Sequence, residues 1–238
     1  MSWLIDNFDT VLGLTGEHVY MGVLPTVIGL VLAVLIGLAL RERPLGRRVV
    51  TVAASVAFTI PSLALFIVIP AIIATRFLDP RNVVIALSLY STALMVRVAF
   101  DALDAVPEAV RDAATANGFS RWKRAVQVDP VLAIPTLAAG ARVVSSTNIS
   151  MVSVGAVIGV GGLGELFTTG YQRSYPEQIM AGIIAILVLA FVVDRIIAVI
   201  AYLATPWQRA GDAADRSPGG GPPASRTGVV TDEAAHVR

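Results

Sequence analysis

The most informative polar residues lie between Phe100 and Arg142, in the one long loop of an otherwise apolar chain. Pro107 suits the first turn of a helix, Glu108 through Asn117 has helix-compatible composition, and Gly118 is placed to cap it. Ser120 can open a second short helix over Arg121–Gln127. The first arm carries small Ala113 and Ala114 behind Asp112, and the second is basic, with Arg121 and Trp122 at its start. Small side chains let the backbone of another protein approach closely, so the chemistry on offer is docking. An amphipathic loop resting on lipid headgroups is the plainer alternative.

Other groups offer less. Gly159-Val160-Gly161-Gly162-Leu163-Gly164 fits the spacing G-x-G-x-x-G, but it ends an apolar run instead of joining a strand to a helix, so a nucleotide site is excluded. Gly159, Gly161, Gly162 and Gly164 read as a helix terminus or as a gate and hinge. Ser145, Ser146, Thr147, Asn148, Ser150 and Ser153 gather in one apolar stretch. They could bond neighbouring helices, or Asn148, Ser150 and Ser153 could face a pathway. Pro61 with Ser62, and Pro70, mark either a packed kink or a hinge lining the same pathway. Phe58, Phe66, Tyr90 and Phe191 are too scattered to assign as an aromatic cage. There is no cysteine, no phosphate-binding loop and a net charge of +1. Cysteine nucleophiles, ATP hydrolysis, metal–thiolate sites and nucleic-acid binding have no residues to carry them; no catalytic residue is assigned, and no cofactor or metal is expected.

The elements that position these residues follow from composition. Of 238 residues, 55% are hydrophobic and 15% charged, against about 25% charged in soluble domains. The charges are missing from long blocks, each near the 20 residues a helix needs to cross a bilayer. Five spans are predicted, over 19–40, 49–75, 82–99, 141–164 and 178–203, with the long loop at about 100–131. Helix is required because backbone groups in lipid must bond within their own segment. Residues 1–18 read as an extracytoplasmic segment, 19–207 as the membrane domain and 208–238 as a disordered cytoplasmic tail. With the N-terminus outside, all basic residues but Arg76, Arg81 and Arg173 fall inside. No ionisable residue lies near mid-span, with His18 and His236 placed outside the spans and Asp194 near the inner end of the fifth. Carriers driven by protons or ions generally need such residues, so a gradient-driven carrier is disfavoured, and if the chain moves a solute uphill the energy comes from a partner.

Asp112-Ala113-Ala114-Thr115-Ala116-Asn117-Gly118, followed by nine residues and Val128, is similar to the EAA-loop signature of ABC importer permeases. Asp112 replaces the family's Glu, Pro130-Val131 stands where Leu-Pro is usual, and Pro135 matches the second proline. Thr59 through Phe66, and Gly155 through Gly164, resemble permeases for glycine betaine, carnitine, choline and proline. The resemblance covers roughly residues 19–207. It implies an all-α, MetI-like ABC permease fold of the bacterial plasma membrane, with Asp112, Ala113, Ala114, Gly118, Arg121 and Trp122 coupling it to ATPase subunits. It further implies a second permease chain, identical or paralogous, and an extracytoplasmic substrate-binding protein. A secondary transporter or facilitator without an ATPase is the competing expectation.

Overall fold

The computed structural model describes Trp3 and residues 6–208. The expected tail, apart from Gln208, lies outside them, as does His236. The chain divides after Ala204, and Thr205–Gln208 form a turn in which the Gln208 N–H donates to the Thr205 carbonyl at 3.2 Å.

Up to Ala204 the described residues are helical, with no strand among them. The elements are α1 (Phe8–Leu40), α2 (Pro44–Thr59), α3 (Ser62–Ile73), α4 (Pro80–Asp104), α5 (Glu108–Ala116), α6 (Arg121–Gln127), α7 (Asp129–Gly155), a 3₁₀ turn (Ala156–Ile158), α8 (Glu165–Gln172) and α9 (Pro176–Ala204). Four helical stretches are long and apolar enough to cross a membrane, and the bent pair α2–α3 makes five.

Helix α1 is longer than the hydropathy pattern predicts. It starts at Phe8, so much of the 1–18 segment belongs to it, and His18 lies inside the helix, fully buried. The polar residues that ended the predicted span are tolerated because a distant loop supplies their partners.

The predicted single span 49–75 is two helices meeting at 102°. Ile60 precedes a proline, is therefore kept out of helical backbone, and takes φ −70°, ψ 129°. Pro61 has no N–H to continue the ladder. The Ile60 carbonyl freed by the break accepts the Tyr90 hydroxyl of α4, and the Phe58 ring meets Tyr90 edge-on at 5.6 Å.

Helix α4 is the centre of the bundle. Asp79 caps it by accepting from the Arg81 N–H at 2.9 Å, with Pro80 in its first turn. Val83, Leu87, Met95 and Val96 are buried along its length. Its tightest neighbour is α1, where a Cβ on Gly29 would lie 2.3 Å from that of Ser91. Helix α7 begins at Asp129, before the predicted 141, and ends at Gly155, so residues 159–164 form a loop and not the end of a span. Much of the apolar surface of α9, including Leu187, Phe191 and Ile200, points outward, as a lipid-facing helix requires.

Candidate functional site

The hairpin forms from local signals. Helix α5 ends in a Schellman motif: the Phe119 N–H donates to the Ala114 carbonyl at 3.1 Å, and the Gly118 N–H to that of Thr115 at 3.0 Å. The motif needs a left-handed residue, and Gly118 supplies it at φ +79°. Ser120 Oγ then caps α6 by accepting from the Lys123 N–H at 3.3 Å. The arms are pinned where Arg124 Nη1 donates to Thr115 Oγ1 at 3.1 Å. No residue of α5 or α6 is buried. Asp112, Ala113 and Arg121 are exposed, Ala114 is half-buried, and Trp122 is 77% exposed. The six residues predicted to dock a partner therefore share one hairpin whose helices bury none of their residues.

At the hairpin's base stands a residue that sequence reasoning missed. Asp129 is fully buried, pairs with Arg41 after the end of α1, and faces Arg111 of α5 at 3.7 Å. The available signal was a lone carboxylate opening an apolar stretch after a basic helix.

The predicted glycine gate sits at the other end of the bundle. From Arg41 back to Glu17 is 24 residues of sequence, about 36 Å of helix. There Glu17 Oε2 accepts the Gly162 N–H at 3.1 Å, and His18 Nδ1 accepts that of Leu163 at 3.2 Å. His18 Nε2 meets the Ile149 carbonyl at 2.8 Å. A ring that accepts at Nδ1 and donates at Nε2 is the neutral tautomer. Gly162 takes φ +80°, and a Cβ there would lie 3.1 Å from His18 Nδ1. Gly159 is also left-handed, at φ +83°. Gly161 and Gly164 have negative φ but are crowded. A Cβ on Gly161 would meet Glu17 Oε2 at 2.3 Å, and one on Gly164 the Cβ of Ala156 at 2.7 Å. Burial, and secondarily the charge of Glu17, push the Glu165 carboxyl above the ordinary range.

The pathway candidates do not form one site. Asn148 is buried and donates from Nδ2 to Thr26 Oγ1 and Ser91 Oγ, both at 2.8 Å, binding α7 to α1 and α4. In this conformation both Nδ2 hydrogen bonds of Asn148 are made between helices, the packing alternative for the polar stretch of α7. Ser150 is exposed and Ser153 half-buried on the same helix, while Pro61 and Ser62 lie at the α2–α3 break. Lower on α7, Arg142 grips Asp194 of α9 through two hydrogen bonds of 2.5 and 2.9 Å.

Residues 26–203 match the family described as binding-protein-dependent transport system inner membrane component. The chain belongs to that family. Among relatives of this inner-membrane component is the osmoprotectant import permease protein OsmW of Salmonella typhimurium, 32% identical over 86% of this chain and 96% of that one. Another is the glycine betaine/carnitine/choline transport system permease protein OpuCB of Bacillus subtilis, 29% identical over 87% and 94%. In fold it resembles an inward-facing conformation of the MetNI methionine ABC transporter, with TM-score 0.68 and 21% identity over 86% of this chain and 98% of that one. The family match takes in the whole hairpin and the glycine loop but begins after Glu17 and His18. The contacts that hold this transport component's glycine loop to α1 thus come from outside the matched segment.

Proposed function

We propose that this chain is the membrane permease of an ATP-driven importer for quaternary ammonium osmoprotectants such as glycine betaine, choline or carnitine, or for proline. The observation that carries the reading is the capped hairpin, none of whose helical residues is buried, with Asp112, Ala113 and Ala114 on its first arm. ATPase subunits dock on that hairpin, a second permease chain completes the solute path, and an extracytoplasmic binding protein selects the solute. The N-terminus lies outside and the C-terminus in the cytoplasm. The substrate class comes from what the relatives are named for; among the described residues the one aromatic pair is Phe58–Tyr90, which is no cage.

The test is Ala114→Trp in the reconstituted complex. It should leave membrane insertion intact, because insertion depends on the apolar spans and their flanking basic residues. Recovery of the ATPase in a detergent pull-down and ATP-driven betaine uptake should both fall. Normal assembly and uptake, or uptake by the unaltered chain that persists without ATP, would favour a carrier that needs no ATPase.

A further inference from the structure

The two oxygens of Asp129 are held unequally. Oδ2 accepts from Nη1 of Arg41. Oδ1 is buried with no hydrogen bond, and Nε of Arg111, 3.7 Å away, is also buried and has none. Arg111 is tethered instead through Nη2, which donates to the Leu103 carbonyl of α4 at 2.6 Å. Nη2 of Arg41 reaches the same carbonyl at 3.4 Å. One carboxylate and one carbonyl therefore gather the hairpin, the end of α1, the last turn of α4 and the first residue of α7.

A charge-assisted N–H···O bond closes at about 2.7–2.9 Å. Less than about an ångström of movement by α5 separates the present spacing from a made bond, and the two facing atoms, Arg111 Nε and Asp129 Oδ1, are buried, so their attraction is less screened than that of a surface pair. The other hairpin pair is different: Arg121 and Glu42 are 85% and 70% exposed, and solvent leaves such a pair little influence. Of these contacts, the one at Asp129 alone combines burial, opposite charge and a gap that a small shift would close.

We propose that Arg111 and Asp129 form an adjustable link, closed when a docked partner presses the hairpin toward the bundle and open at 3.7 Å otherwise. Asp129 is then a positioning residue that passes hairpin movement to α1 and α7. The inference rests on the permease reading above.

The test uses the complete reconstituted complex and measures solute moved per ATP hydrolysed. ATP-driven uptake by the unaltered complex checks the permease reading first; its absence sinks that reading and the link with it. Arg111→Gln and Asp129→Asn should each lower the ratio at least about fivefold, the lower end of typical coupling between sites. ATPase recovery in a pull-down should be unchanged. The double variant should be no worse than the worse single one, because both act through one contact. A merely structural role would reduce uptake and hydrolysis together and leave the ratio alone. Arg111, on the hairpin outside the spans, decides the matter should Asp129→Asn fail to assemble. An unchanged ratio in Arg111→Gln, additive losses in the double variant, or loss of ATPase binding by Arg111→Gln would each overturn the link while leaving the permease reading in place.

Discussion

His18 and Leu163, 145 positions apart in sequence, are joined by a hydrogen bond from the Leu163 N–H to the imidazole Nδ1 at 3.2 Å. With the Ile149 carbonyl on the other ring nitrogen, His18 ties the first turns of α1 both to the glycine loop and to the helix that leads into it.

Replacing His18 with Leu leaves the Leu163 N–H without its partner in a buried site, while the Ile149 carbonyl, inside α7, keeps its helical donor. The lost partner costs about 1–3 kcal/mol, so thermal unfolding in detergent should show a drop in stability. An unaltered midpoint would mean that the ring is not holding the loop.

Gly162 and Gly159 separate backbone strain from crowding. Both are left-handed, which costs a residue with a Cβ about 1–2 kcal/mol. At Gly159 the nearest atom to a new Cβ is Leu78 Cδ2 at 3.4 Å, whereas at Gly162 it is His18 Nδ1 at 3.1 Å with Met21 Cε at 3.3 Å. Gly162→Ala should therefore destabilise more than Gly159→Ala in the same melt, and equal effects would show that the His18 contact yields freely.

Glu165 gives the loop a pH dependence. Its carboxyl is raised chiefly by burial and then by Glu17, so the folded state holds its proton more tightly than the unfolded chain. The stability it contributes is fully present below the ordinary Glu value of about 4.3 and is lost as pH rises through the raised value. Melting midpoints taken from pH 4 to pH 8 should flatten in Glu165→Gln. Glu17→Gln should flatten them only in part, because it removes the smaller cause. The same slope in all three proteins would contradict this.

Asn148 and Ser150 divide packing from pathway. Asn148→Ala removes two hydrogen bonds and should lower stability by about 1–3 kcal/mol. Ser150→Ala, at an exposed position, should leave stability within about 0.5 kcal/mol. Unchanged stability in Asn148→Ala together with altered uptake would return Asn148 to the pathway.

Topology can be checked on a cysteine-free background. Ser120 and Gln172 are both exposed, and Gln172 avoids the left-handed backbone of Ser174, at φ +52°. Ser120→Cys should react with an impermeant reagent only after cells are opened, and Gln172→Cys in intact cells. Reaction of both from one side would reverse the reading.

What could be read from sequence was local. Gly118 and Ser120 announce the hairpin because caps act over three or four residues, and the spans announce themselves by apolar length. Pro61 signalled a disturbance, but whether it kinks or breaks the helix depends on Tyr90, thirty residues away, which takes up the freed carbonyl. Asp129 showed locally only as a lone carboxylate opening an apolar stretch, and its role was illegible because its partner Arg41 lies 88 positions before it. Glu17 and His18 looked like the edge of a span for the same reason, as the backbone that satisfies them belongs to the far loop.

The break at Ile60–Pro61 also bears on how the chain enters the membrane. Helices α2 and α3 have 16 and 12 residues, and each falls short of the roughly 20 needed to cross alone. Neither piece can be released into lipid as a finished unit, since the carbonyl at the bend would sit in hydrocarbon without a donor. That donor is Tyr90, which leaves the ribosome about thirty residues later. The bent segment must therefore wait at the insertion machinery, and a nascent chain stopped before Tyr90 should remain extractable where one stopped after α4 does not.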